Sequence, residues 1–446
     1  MITNEEIIEQ IKKGVNKKPL FYVTRYKERG SGLGCSLKNF KTITTTPPKD
    51  TAEILEKKSF PLKSNIIVFK NNARIQRICK EKKLNLLNPD YHLVEKYENK
   101  ISQYKWLKTI IPASLPKTVI TTPNKNSFQK IGQILGKPFI GQFNRSHTGQ
   151  GTLLISKTKQ WKELVEKFPQ RKIKCTQFIN GPVITVNICL WPALSADEQG
   201  CILMGNPSYQ ITGLKQLTDF PYSTTGNDWS LAQKILNSND FKTIKTLCQK
   251  IGKAMIKNGW QGLFGLDFIK GKKWLVIEIN ARQPASTGLE TALQKKQGKG
   301  ITIFAAHVAA LLQLPLPTCP AGRPGTCDEI EKSFQKINQG AQIIIRKKRR
   351  SKYTKFHPVK CRKAAISPRA SAKLFNRVEK TLCNPLKQSV SKGKKKGPDP
   401  IRIIKGEVET EKHNAELFRI QNFKSGFVTK NNQLNTFAKQ LLKNFK

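Results

Sequence analysis

Apolar positions along the chain form two kinds of run: short unbroken stretches that predict buried strands, and longer ones spaced three and four apart that predict helices against a core. LFYVT at Leu20–Thr24, NIIVF at Asn65–Phe69 and LNLLNP at Leu84–Pro89 are of the first kind, with an Arg/Lys-rich helical stretch between the last two. Strand, helix and strand in that order predict an open α/β layer. The proline-bearing stretch Leu107–Thr122 reads as an extended crossover. Next come a strand at Pro138–Phe143, a glycine-bearing loop at Asn144–Thr152 and a returning strand at Leu153–Ser156. The tip of that hairpin either closes on a phosphate through backbone N–H groups or is an ordinary turn. Ile173–Trp191 reads as two strands pivoting at Asn180-Gly181-Pro182. A helix is predicted over Asp240–Asn258, with Ile244, Leu247, Ile251, Ala254 and Met255 on one face and Asn258-Gly259 as its stop.

The pattern breaks most informatively between Gly262 and Thr287, where two apolar strands flank the turn Lys270-Gly271-Lys272-Lys273. Alternation puts Glu278, Asn280 and Arg282 on one face and Leu275, Ile277 and Ile279 on the other. A hairpin pairing brings Asp267 beside the polar set. Two carboxylates and an amide oxygen on rigid strands are hard-oxygen ligands suited to Mg²⁺, which borrows phosphate oxygens for its remaining positions. A wet sheet face explains a lone carboxylate pair better, but these carboxylates sit inside strongly apolar strands.

With 446 residues the chain is long enough for several domains. The N-terminus MITNEEIIEQIKKG carries acids and lacks the apolar core of a secretory signal, and the longest apolar run, Ile301–Leu314, is too short to span a bilayer. The ten cysteines show no zinc or redox spacing, which predicts buried free thiols in a reducing cytoplasm. The net charge of +50 exceeds what a bias toward Lys, Ile and Asn explains, because acids are scarce as well. It predicts anionic partners: nucleotides, acidic substrates, nucleic acid or an anionic surface. The basic character concentrates from Arg346 to about Lys396. Four segments follow: an α/β domain at 1–100, a two-lobed body at 101–346, a basic linker at 347–398 and a small C-terminal module at 399–446.

Over about residues 65–346 the order of parts resembles the ATP-grasp superfamily, in which an open α/β preceding domain leads into two α+β lobes that hold ATP between them. The fold expected is therefore mixed α/β and α+β, with a basic C-terminal extension. Asp267, Glu278 and Asn280 match the family's acidic strand pair and E-x-N motif, which implies that they bind Mg²⁺, or Mn²⁺ in its place. Arg282 resembles the arginine of E-x-N-x-R, implied to face the transferred phosphate and the reacting carboxylate. Asn99-Lys100 is similar to the family's D-K, with Lys100 implied as a nucleotide contact. Ser146–Gly151 resembles the phosphate-covering loop, with Thr148, Gly149 and Gly151 as backbone contacts. Thr176-Gln177-Phe178-Ile179 is similar to the hinge whose main chain meets adenine, which implies roles for Gln177, Phe178 and Ile179. The chain departs from the pattern at Gln142, where the family normally has a second phosphate-binding lysine. A neutral donor in place of a charged one weakens nucleotide binding by about tenfold.

The resemblance implies an ADP-forming ligase that uses ATP to activate a small carboxylate for attack by an amine or other nucleophile. The alternative is a relative with a worn nucleotide site that acts through its basic tail on nucleic acid or an acidic partner. Tyr222–Trp229, polar and glycine-bearing, reads as a surface loop or as a substrate loop.

Overall fold

The computed structural model describes residues 2–33, 37–45, 49–124, 127–144, 151–192, 200–317, 325–348, 401–405 and 415–442. Three sheets organise the described residues. The first is parallel, in the order Phe40–Ile43, Leu20–Val23, Asn65–Val68 and Asn85–Leu86. Leu20 and Ile66–Val68 are wholly buried, the continuous burial that helices on both faces of a parallel sheet require. Phe40–Ile43 is a strand that the apolar pattern does not reveal, because its side chains are half-buried or exposed. The glycine-rich segment after the first strand is a short 3₁₀ helix, Lys27–Leu33. A Cβ at Gly32 would lie 2.1 Å from the Phe304 ring, so this glycine serves close packing against the helix Ile303–Leu311.

The expected crossover at Leu107–Thr122 is instead mostly regular: the helix Lys100–Ile110, a 3₁₀ turn at Pro112–Ser114 and the strand Thr118–Thr121. The prolines set the turn and do not extend the chain. That strand is the edge of a second, antiparallel sheet in the order Thr118–Thr121, Ile173–Gln177, Phe139–Phe143 and Thr152–Ile155. Phe139, Phe143, Ile173 and Cys175 point into this lobe's own core with Phe128, Ile131 and Trp161.

The third sheet is antiparallel and has nine strands. Its main path runs from the acidic hairpin, Trp274–Asn280 and Gly262–Lys270, through Val183–Trp191, Ser208–Thr212, Thr224–Asp228 and Ala341–Arg346. It ends with two strands from the C-terminal region, Glu416–Asn422 and Ile401–Lys405. The described strands of residues 399–446, expected as a small C-terminal module, thus extend this sheet. Phe418, Ile420 and Phe427 share one core with Ile184, Val186 and Phe264. Tyr222–Trp229 is likewise no surface loop: Thr225–Trp229 is buried, and Gly226 at φ +154° lets the strand pass against the Gln342 carbonyl. Asp228 caps the following helix through the Leu231 N–H and also accepts the Phe427 N–H.

The helix predicted over Asp240–Asn258 runs Ser238–Lys257, capped by the Asn237 side chain, and covers one face of the central sheet with Ile244, Leu247, Ile251 and Met255. Cysteine pairing differs from expectation. Cys201 and Cys327 form a disulfide across a separation of 126 residues, which runs against a uniformly reduced set. Cys79, Cys175, Cys189 and Cys248 are free and buried as expected. No helix among the described residues is long and apolar enough to cross a membrane.

Candidate functional site

The acidic hairpin pairs Gly262–Lys270 with Trp274–Asn280 and sets Asp267 directly opposite Glu278. One detail departs from simple alternation. A bulge after Asp267 places Phe268 opposite Val276, so an extra residue, Ile277, enters the second strand. Val276 and Ile279 therefore both enter the central core, and Leu275 and Ile277 do not accompany Ile279 as expected. The bulge also aims Glu278 and Asn280 to the same side as Asp267.

Asp267 is buried. Its Oδ1 accepts from the Thr185 hydroxyl at 2.7 Å and its Oδ2 from the Asn280 amide at 3.1 Å. Burial raises its carboxyl above the usual range, and the charge on Glu278 raises it further. Asn280 spends its side-chain nitrogen on Asp267, and its side-chain oxygen has no partner among the described residues. The Lys100 ammonium binds Glu278. Lys100 opens its helix and is buried; its backbone N–H bonds to the Asn144 carbonyl, and the Asn144 side chain accepts the Ile101 N–H. Asn144 thereby supplies the cap that Asn99 does not. Mg²⁺ fits this donor set: two carboxylates and an amide oxygen, with buried negative charge that a divalent cation relieves.

Arg282 is held by Glu98, a residue the sequence does not single out. Arg282 Nη1 binds Glu98 Oε1, Lys70 Nζ lies 3.0 Å from the same oxygen, and the Ala281 N–H reaches Oε2 at 2.8 Å. Burial alone would raise the Glu98 carboxyl, but Arg282, Lys70 and Lys100 together hold it down to about 2. The only sequence signal for Glu98 is its place just before Asn99-Lys100.

The hinge is where two strands were expected to pivot. Ile173–Gln177 belongs to the smaller lobe and Val183–Trp191 to the central sheet. A Cβ at Gly181 would lie 1.9 Å from the Lys270 carbonyl oxygen, so only glycine lets the hinge lie on the hairpin turn. The Gln177 N–H bonds to the Lys117 carbonyl, and Phe178 and Ile179 follow on a half-exposed stretch. Gln142 donates to the Thr152 hydroxyl at 3.3 Å. Gly151 closes the hairpin through its carbonyl to Phe143 N–H, whereas Thr148 and Gly149 lie outside the described residues.

Beyond Arg282 lies a pocket lined by Glu28, Arg29, Ser31, Gln283, Arg402 and Arg419. Glu416 holds Arg419 through two 2.9 Å contacts, and Arg419 also donates to the Ala285 carbonyl. Arg29 is stacked 3.5 Å from the Phe69 ring centre, and burial lowers its pKa. A row of polar side chains, the half-buried Gln210 and the buried Thr185, Asn227, Gln342 and Gln421, crosses the sheet from Asp267 toward this pocket. Arg402 and Arg419 were not foreseen, because they arrive from the C-terminal strands.

No family model matches the sequence, and no curated protein matches it. Solved structures do match. An N5-carboxyaminoimidazole synthase from Aspergillus clavatus, in complex with ADP and 5-aminoimidazole ribonucleotide, aligns with a TM-score of 0.58 over 96% of this chain and 99% of that chain. The fold is ATP-grasp. The biotin carboxylase domain of Hydrogenobacter thermophilus 2-oxoglutarate carboxylase, in complex with MgADP and bicarbonate, aligns at 0.54 over 94% and 84% of the two chains. N5-carboxyaminoimidazole ribonucleotide synthetase from Thermus thermophilus aligns at 0.54 over 94% and 92%. Identities are 11%, 12% and 11%, so the likeness is one of ATP-grasp fold.

Proposed function

We propose that the protein is an ATP-dependent, ADP-forming ligase that activates a small carboxylate for attack by an amine or another nucleophile. The observation that carries the reading is the hairpin with Asp267, Glu278 and Asn280 on one side and Glu98-bound Arg282 at its end. Mg²⁺ on Asp267, Glu278 and Asn280 would offset phosphate charge when bound. Lys100 and Arg282 lie at the two ends of the acidic set, the first toward the smaller lobe and the second toward the arginine-lined pocket. Nucleotide lies between the lobes, with adenine against Phe178 and Ile179 and phosphates toward Lys100, Gln142 and the loop that includes Thr148, Gly149 and Gly151. The carboxylate approaches from the side of Arg282 where Arg29, Arg402 and Arg419 gather.

A carboxylate oxygen takes the terminal phosphoryl group as the bond to ADP breaks, giving an acyl phosphate. Arg282 holds the charge that develops on the transferred group. The nucleophile then forms its bond to the carbonyl carbon, inorganic phosphate leaves and the amine gives up a proton. No protein nucleophile is needed. The segments proposed to do this work are 1–100 as preceding domain, 101–346 as the two lobes and the C-terminal strands that carry Arg402 and Arg419, in a cytoplasmic compartment that supplies ATP. Action of the basic linker on nucleic acid remains a separate idea that no described residue favours.

The test is Mg²⁺-dependent ATP binding by calorimetry and ADP release with a panel of carboxylates and amines, on the wild type and on Glu278→Gln. Binding and turnover lost in the variant are expected. Unaltered binding in Glu278→Gln would remove the metal role, and no binding by either protein would sink the reading.

A further inference from the structure

Lys174 is the one charged residue of the strand Ile173–Gln177. Ile173 and Cys175 point into the core of the smaller lobe, so Lys174 points to the opposite face, with Thr176. It is buried, at 4% exposure, yet no hydrogen bond or ion pair holds its ammonium among the described residues. Long aliphatic stems often bury while the charged head finds water or a carboxylate. Lys174 has no carboxylate of its own: the charges near enough to act on it are Lys100, which opposes its protonation, and Glu278, which Lys100 already binds. Burial lowers its pKa to about 8.

Its position across the sheet is equally specific. In the antiparallel ladder Lys174 is the direct partner of Gln142, and paired residues on one face carry their side chains side by side. Gln142 itself is a neutral donor, occupied by the Thr152 hydroxyl. Lys100 and Lys174 therefore both lie within electrostatic reach of Glu278, which Lys100 binds.

We infer that Lys174 is a phosphate-binding residue of this site, the cation that position 142 lacks being carried one strand over, and that its ligand is the phosphate chain of the nucleotide. The inference rests on the ligase reading for the presence of that nucleotide. A phosphate oxygen gives the Lys174 ammonium the anion that the fold does not. Charge-assisted contacts of this kind contribute about 1.5–3 kcal/mol, or roughly 10- to 150-fold in affinity.

The experiment compares MgATP dissociation constants and denaturation midpoints for the wild type, Lys174→Met and the exchanged pair Gln142→Lys/Lys174→Gln. Lys174→Met keeps the stem and removes the charge. We expect it to weaken MgATP binding at least about tenfold while its midpoint stays level or rises, because the buried stem keeps its packing and no ion pair is lost. The exchanged pair is expected to recover most of the lost affinity. Unchanged MgATP affinity in Lys174→Met overturns the inference and leaves the ligase reading standing. Equal loss in Lys174→Met and in the exchanged pair also overturns it, since packing at position 174 and not the charge would then be responsible. A lowered midpoint in Lys174→Met with no recovery in the exchanged pair assigns Lys174 a structural role. A wild type that binds no MgATP overturns both readings.

Discussion

Glu98 grips Arg282: one carboxylate oxygen takes the guanidinium and Lys70 while the other takes the Ala281 N–H, so the helix that ends at Glu98 fixes the residue following the acidic strand. This contact joins the preceding domain, through Lys70, to the hairpin.

Glu98→Gln should therefore leave two cations without their counter-charge. Breaking a buried pair costs about 3–5 kcal/mol, and about 2–3 kcal/mol is expected here because Lys70 and Arg282 are a quarter exposed. The Glu98 carboxyl lies near 2, below its ordinary 4.5, so its contribution is present above pH 4.5 and is lost as pH falls toward 2. Urea midpoints from pH 6 down to 2.5 should fall steeply for the wild type and less steeply for the variant.

Asp267→Asn separates stability from activity. Asp267 and Glu278 face each other across the hairpin, and the charge of one opposes that of the other. Neutralising Asp267 should raise stability by about 1 kcal/mol while lowering Mg²⁺-dependent turnover at least about a hundredfold. Thermal unfolding without ligand and ADP-release rates provide the two readouts. A variant both less stable and fully active would contradict the assignment.

His307 is buried, and its Nδ1 accepts the Leu263 N–H at 3.0 Å; burial lowers its pKa to about 3. An unfolded histidine, near 6.5, takes up a proton that the folded one refuses, so stability falls as pH drops from 6.5 toward 3. That loss reaches several kcal/mol, about 1.4 for each pH unit. His307→Asn keeps an acceptor near Leu263 and does not titrate. Its stability should vary less across this range, as followed by denaturant midpoints at stepped pH.

A chain ending at Lys348 should not fold stably. The strand Ala341–Arg346 would lose its partner Glu416–Asn422, and the core would lose Phe418, Ile420 and Phe427. Three large buried side chains contribute about 6 kcal/mol, half or more of a typical domain's margin. Soluble yield and thermal unfolding provide the check. A cooperative transition near that of the full chain would show that the C-terminal strands are dispensable.

Much of this was legible locally. That a hairpin of two apolar strands and a short turn brings Asp267 beside the polar set is readable from the sequence, and the hinge at Asn180-Gly181-Pro182 follows from a turn dipeptide between apolar runs. Lys174 carried a weaker signal, a lone charge at an alternating position. The bulge at Ile277 carried none, because an inserted residue changes the parity of a strand without changing its composition. Phe40–Ile43 was missed for a different reason: as an edge strand it needs little apolar content.

What the sequence alone determined is the hairpin's acidic face, the hinge and the helical stretch before them, since each rests on side-chain period and turn chemistry within a few residues. What only the tertiary structure decided are the contacts between distant segments: Glu98 on Arg282, Lys174 beside Gln142, Asp228 on Phe427, and the C-terminal strands that bring Arg402 and Arg419 to the pocket. Strand neighbours in a mixed-order sheet are chosen by which faces must be buried together, and that choice depends on the whole chain.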